Sequence, residues 1–417
     1  MRRLVILGSG WGGFEVLRNI DRRAYEVVVV SPSTCVGTLE FRCVTEPIRR
    51  IAPNIKYHQA FCTDVDFEND RLTAHSALEL EEHAAQFTLE YDRLIIASGA
   101  TSNTFGIPGV SEHAFFLKDI SDARNIRHRV LECFEHAMQP ETPDTEKRRL
   151  LHFAIVGGGP TGVEFAAELH DFVKDDMGRI YPSLCDYVRI TVYDVGQRIL
   201  GSFDEKLGKY AADRFAREGI RVEVGTGVSK VDKKWIVLTT GKTVPVGMIV
   251  WATGLAPTMF SKNLACKHDQ STGRLVTDDK LRLFNPAGQV LENVYALGDC
   301  GMIDTMQLPC TAQVAKQQAQ YLSRVLNAHA KNLKPTSGAD RFVFNPLGTM
   351  AYIGGWKAVA DMKIPSKGHP EQKVSGRLAW LVWRSAYFSM AVSVKNKILI
   401  PMYWFLTWIF GRDISKI

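Results

Sequence analysis

One short motif occurs twice in this chain, and it constrains the fold more than any other feature. Arg3–Gly13 reads R-L-V-I-L-G-S-G-W-G-G, and His152–Gly162 reads H-F-A-I-V-G-G-G-P-T-G. Each runs from an apolar strand through a glycine turn into a helical pattern. The glycines stand as G-x-G-x-x-G: Gly8, Gly10 and Gly13, then Gly157, Gly159 and Gly162. In that spacing the first glycine permits a tight turn. The second lets backbone approach a pyrophosphate, and the third lets the helix pack on the strand. The helix start then offers free N–H groups and a partial positive charge to phosphates. A single match also fits an ordinary strand–turn–helix, so it is weak; two on one chain are far more specific. Leu94–Gly99 (L-I-I-A-S-G) and Ile249–Gly254 (I-V-W-A-T-G) echo each other as well. The chain therefore reads as a pair of related α/β units.

The residue ending the second strand of each unit differs. Tyr25–Val30 is followed by Ser31, whereas Arg189–Tyr193 is followed by Asp194. A carboxylate at that place takes the ribose hydroxyls of NADH and repels the 2′-phosphate of NADPH. Arg198 nearby leaves some room for NADPH, and a plain turn role for Asp194 stays open. Ser31 can still donate or accept a hydrogen bond. Asp299, in A-L-G-D, suits the ribityl hydroxyls of a flavin, or else caps a helix. Of two bound dinucleotides one must stay and one must exchange, and flavin with nicotinamide is the usual pairing.

The expected architecture is α/β. Two Rossmann-type dinucleotide-binding domains, the second inserted in the first, precede a C-terminal amphipathic membrane-anchoring region. The first domain takes residues 1–115 and 258–340 for FAD, with Asn293–Asp299 as one of its strands. A helical linker spans 116–150 and ends in the charged stretch Pro140–Arg149. Residues 151–257 form the NADH domain, and 341–417 the anchoring and dimerisation region.

Composition narrows the function classes. A net charge of +6 among 417 residues is a mild bias, compatible with an anionic lipid surface or cofactor but too weak to argue for nucleic acid, for which no motif appears. The eight cysteines form no C-x-x-C pair, so neither zinc nor thioredoxin-like chemistry is expected, and no metal site. No apolar run reaches the ~18–20 residues of a spanning helix. No targeting leader is expected within the chain.

From about residue 341 the chain turns basic and aromatic, with Trp380, Trp383, Trp404 and Trp408. Val374–Ala391 reads as an amphipathic helix with Leu378, Leu381, Val382, Ala386 and Met390 on its apolar side. Ile398–Phe410 reads as a short apolar run broken by Pro401. Lys367, Lys373, Arg377, Arg384, Lys395, Lys397, Arg412 and Lys416 flank both. Short apolar stretches with aromatic and basic edges lie in a membrane interface, although a dimer interface favours aromatics too.

Further motifs complete a resemblance over essentially the whole chain: G-T-L-E-F-R, G-G-G-P-T-G-V-E-F-A-A-E-L, W-A-T-G, Y-A-L-G-D-C, T-A-Q-V-A-K-Q-Q, A-Y-I-G, W-R-S-A-Y and F-G-R-D-I-S. The chain resembles the type II NADH:quinone oxidoreductases, the alternative NADH dehydrogenases of respiratory membranes. The resemblance implies bound FAD, exchangeable NADH, a membrane quinone as acceptor, no proton pumping and a homodimer. It implies a peripheral position on the mitochondrial inner membrane, or alternatively the bacterial cytoplasmic membrane. Glu164 matches the glutamate near nicotinamide and flavin. Gln313 and Gln317 match the quinone-site glutamines, with Tyr352 a further quinone-site candidate and Gly254 beside the nucleotide. The segment from Ser33 to Glu40 is shorter than the family pattern, in a loop that helps cover the flavin. Other readings are an NADPH- or sulfide-linked quinone reductase, and a catalytically weak flavin- or NADH-binding membrane protein with a signalling or scaffold role.

Overall fold

The computed structural model describes residues 1–33, 35–36, 46–52, 55–78, 86–333, 340–362, 372–389 and 394–412. The shortened segment after Ser33 lies largely outside them. The chain divides into two units, residues 1–101 with 255–346 and residues 102–254 with 347–417.

In the first unit Arg2–Leu7 lies between Tyr25–Ser31 and Arg93–Ile96, parallel to both. Lys56–Asp66 and Val290–Ala296 extend this parallel centre on either side. Arg71–Ser76 and Gln86–Glu90 continue one edge as an antiparallel meander, within a ten-stranded sheet. Leu4, Val5, Ile6 and Leu7 are all buried, as a strand covered on both faces requires. At roughly 1.5–3 kcal/mol for each fully buried large aliphatic side chain, such runs outweigh intrinsic strand propensity. The helix Trp11–Asn19 follows the first glycine turn.

The second unit centres on a five-stranded parallel sheet, ordered Phe115–Phe116, Met248–Trp251, His152–Val156, Arg189–Tyr193 and Arg221–Glu223. The helix Pro160–Phe172 follows its glycine turn, with Pro160 in the first turn, where a missing N–H costs nothing. A three-stranded antiparallel sheet of Thr349–Tyr352, Ala358–Met362 and Gln372–Gly376 belongs to this unit. Ala351, Tyr352, Ile353 and Val359 share one hydrophobic core with Val163, Ala166 and Ala167 of the helix.

Three expectations change here. Residues 116–150 are no free linker. The strand Phe115–Phe116 joins the second unit's sheet, and Phe134, Ala137 and Leu150 of the helices that follow lie in its core. The C-terminal helix begins only at Arg377 and runs to Ser389, because Gln372–Gly376 pairs as a sheet strand. Pro401 does not break the last helix, which runs Val394–Phe410 with the proline inside it.

Candidate functional site

The two glycine turns are built alike. Gly8 and Gly157 have φ of +98° and +114°, a conformation open to glycine and strained for other residues. Their N–H groups donate to the ends of the second strands, at Val30 O (2.9 Å) and Tyr193 O (2.8 Å). A side chain at Gly13 would meet the Gly8 carbonyl, and one at Gly162 the Gly157 carbonyl, so helix and turn touch at both places. Beside Gly10 and Gly159, by contrast, the space where a Cβ would sit is empty to 4 Å. An open face over exposed N–H groups at a helix start is what a pyrophosphate needs.

The strand ends separate the two cradles. In the first unit the buried Ser9 and Ser31 hydroxyls lie 2.8 Å apart, and Ser9 Oγ also donates to the Ser33 carbonyl. In the second unit Asp194 Oδ2 accepts from the Gly158 N–H of the glycine turn, and Oδ1 accepts from Gly196 N–H at 2.6 Å. Asp194 is thus both a turn residue and a carboxylate at the mouth of the cradle. Arg198, the residue that left room for NADPH, donates instead to the Gly201 and Phe203 carbonyls at 2.9 and 3.1 Å. The Gly254 carbonyl accepts from Asn103 N–H, and Trp251 Nε1 and Thr253 Oγ1 both donate to the Asn103 carbonyl.

Glu164 lies on the helix Pro160–Phe172. Its Oε1 accepts two hydrogen bonds at 3.0 Å, from the Tyr352 backbone N–H and from the Trp383 indole. Burial pushes its carboxyl up to about 7, against the pull of these two donors and with Glu168 adding to the rise. The Tyr352 hydroxyl donates to Asp171 Oδ2 at 2.6 Å, and burial followed by the Asp171 charge raises its own ionisation far above the ordinary tyrosine range. The Tyr352 hydroxyl thus has an internal partner, as a tyrosine of a core strand would. That oxygen is spent on Asp171, and the ring stacks on Trp383 with centroids 5.5 Å apart. Asp171 also accepts from Gly355 N–H, while Arg214 Nε donates to the Ile353 and Gly354 carbonyls. Sequence reasoning passed over Asp171, Arg214 and Trp383. One signal was available: Glu164, Glu168 and Asp171 fall four and seven residues apart, on one helix face.

Gln313 and Gln317 lie on the helix Ala312–Ala330, capped by Thr311. The Gln317 amide is engaged at both ends with the Asn345 backbone, donating at 2.8 Å and accepting at 2.9 Å, so it fastens that segment. The neighbouring Gln318, which sequence reasoning missed, is buried and accepts from Gly298 N–H at 2.8 Å. Buried Arg274 donates to the carbonyls of Gly298, Asp299, Gly301 and Leu308. Together they fix the turn that presents the half-buried Asp299.

At the C-terminus Arg384 lies between the rings of Trp404 (3.7 Å) and Trp380 (4.8 Å) and joins the last two helices. Arg412 pairs with Asp176 and Glu168, each at 2.8 Å. Leu378, Leu381, Ile398, Phe405, Trp408 and Phe410 are exposed. Among the described residues no helix is long and apolar enough to cross a membrane.

Comparison with known proteins covers both units. The family model for "Pyridine nucleotide-disulphide oxidoreductase" matches residues 2–319, and that for "NDH2 C-terminal domain" matches residues 347–413. The internal alternative NAD(P)H-ubiquinone oxidoreductase A1, mitochondrial, of Solanum tuberosum is 40% identical over 100% of this chain and 88% of its own length. The external NADH-ubiquinone oxidoreductase 2, mitochondrial, of Saccharomyces cerevisiae is 38% identical over 99% and 82%. Among solved structures, NDH2 from Plasmodium falciparum in complex with NADH superposes with a TM-score of 0.88, at 28% identity over 99% of both chains.

Proposed function

Since the chain belongs to the pyridine nucleotide-disulphide oxidoreductase family and within it to the type II NADH dehydrogenases, we propose that it passes electrons from NADH to a membrane quinone as a non-pumping flavoenzyme. The observation that carries this reading is the pair of cradles, each open at its middle glycine and each ended differently.

FAD fits the first cradle. Gly8 makes the turn, Gly13 lets the helix close on it and Gly10 leaves the open face for its pyrophosphate, and Ser31 and Asp299 would hold its hydroxyls. Bound there, it supplies a centre that accepts a hydride and hands electrons on to quinone. NADH, as substrate, takes Gly157, Gly159 and Gly162, with Asp194 on the ribose and Gly254 beside the cofactor. With Arg198 committed to backbone carbonyls, this cradle favours NADH over NADPH. Quinone reduction consumes protons, and a Glu164 carboxyl ionising near 7 can hold or release one at cellular pH. Gln313 offers an amide to the quinone, while Gln317 keeps Asn345 in place.

The exposed side chains of the last two helices, with the exposed Lys395 and Lys397 beside them, support seating on a lipid surface. Each cation near an anionic leaflet adds about 1 kcal/mol. The same region is proposed to serve a homodimer. Relatives named as mitochondrial support the mitochondrial inner membrane as the location.

The direct test is the absorbance spectrum of the purified protein, taken before NADH, after NADH and after quinone. Flavin bands that bleach with NADH and return with quinone are expected. A colourless folded protein, or bands that NADH leaves untouched, would refute the reading.

A further inference from the structure

Glu164 draws its two hydrogen bonds from different elements: the strand Thr349–Tyr352 and the helix Arg377–Ser389. Trp383 supplies the second. Its ring is stacked on Tyr352 at 29°, and this aims the indole N–H at Oε1. We propose that Trp383 is a positioning residue that sets the charge of Glu164 through this single N–H donor, from within the C-terminal helix.

The physical case is one of sign. An N–H donor stabilises a carboxylate more than the neutral acid, so it lowers the carboxyl's pKa. Burial pushes the other way and dominates, and Glu168 adds to it. The other charged groups on the surrounding elements are committed among themselves. Asp171 is bonded to the Tyr352 hydroxyl and lies 3.6 Å from His170. Arg412 pairs with Glu168, and Arg384 acts on Glu168 and Tyr352 from between two tryptophan rings. Of the groups around Glu164, Trp383 thus offers a donor that can be removed without deleting a charge.

The inference rests on Glu164 being the acid of the proposed site, and its test reads the carboxyl itself. In the full-length holoenzyme, the carboxylic C=O band of Glu164 is followed by infrared titration, with Glu164→Gln identifying the band. Trp383→Phe keeps the stacking and removes the donor; it should raise the midpoint by about one pH unit, the worth of one hydrogen bond to a charged group. Replacing the indole by benzothiophene, which has nearly the same shape and lacks the N–H, should give the same shift and covers the case in which Phe packs poorly. Trp383→Gln, which keeps a donor and loses the ring, should shift the midpoint less. The pH profile of NADH:quinone turnover should move in parallel with the band. An unmoved band in the benzothiophene protein, or a larger shift with Gln than with the isostere, overturns the proposal. Should Glu164→Gln remove the band yet leave turnover and its pH profile unchanged, the site reading fails while the Trp383 assignment stands.

Discussion

The two cradles share a backbone turn and differ in the side chains around it. Gly8 and Gly157 turn the chain the same way, Gly13 and Gly162 each close against the carbonyl of the first glycine of their own turn, and Gly10 and Gly159 face empty space. At the strand end a serine hydroxyl, paired with Ser9 of the turn, stands in one unit and a carboxylate in the other. On the proposed reading, the shared part recognises what all dinucleotides have in common, the pyrophosphate, and the differing part chooses among them, because a ribose hydroxyl or 2′-phosphate would meet a neutral group in one unit and a negative one in the other. That reading makes phosphate binding a property of the backbone and cofactor identity a property of single side chains.

The sharpest way to break this comparison is to fill the open space in each cradle separately. Gly159→Val should abolish flavin bleaching by NADH while the flavin stays bound, and Gly10→Val should yield folded protein without flavin. Loss of flavin from the Gly159 variant would show that the cofactors are assigned to the wrong units. The next effect acts at the strand end. Asp194→Asn should reduce the preference for NADH over NADPH by about 10- to 100-fold, the worth of hydrogen bonds to a charged group. A wild-type specificity constant favouring NADPH would reject the assignment.

The second unit also carries the exposed C-terminal helices, which the first lacks. Substituting Phe405 and Trp408 together by Glu should release the protein from anionic vesicles, read by co-sedimentation, and leave bleaching by NADH intact. Undiminished sedimentation would place the lipid contact elsewhere. A smaller effect separates the glutamines of the first unit. In stopped-flow, Gln313→Ala should slow re-oxidation by quinone by about 3- to 10-fold, the loss of one hydrogen bond, and leave bleaching unchanged. Gln317→Ala should lower stability through release of Asn345, read as a fall in Tm. Slowed bleaching in the Gln313 variant would move that residue to the nicotinamide side. The smallest effect is expected at Ser31→Ala, which removes only neutral hydrogen bonds, those with Ser9 and the Ser33 N–H among them, and should weaken flavin retention about 2- to 10-fold on dilution. A loss as large as that from Gly10→Val would mean that the strand end, and not the turn, holds this cofactor.

The local sequence determined the two strand–turn–helix units, the middle glycines and the residue ending each second strand. These are consecutive in the chain, and their geometry follows from backbone sterics over about a dozen positions. The resemblance then supplied Glu164 and the glutamines. Tertiary structure decided what those side chains are bonded to. Tyr352 was named as a quinone-site candidate, and its hydroxyl's partner, Asp171, stands 181 positions away. The resemblance named Gln317, and the four-residue spacing put it on one helix face with Gln313, but neither says anything of Asn345, 28 residues on, to which its amide is bonded. The strand Gln372–Gly376 was hidden in a helical pattern because its partner Ala358–Met362 supplies the hydrogen bonds that the helix would have made itself. Trp383 reaches Glu164 across 219 positions. Periodicity and propensity describe what a segment presents on its faces, whereas a hydrogen bond between distant segments exists only once the chain has packed.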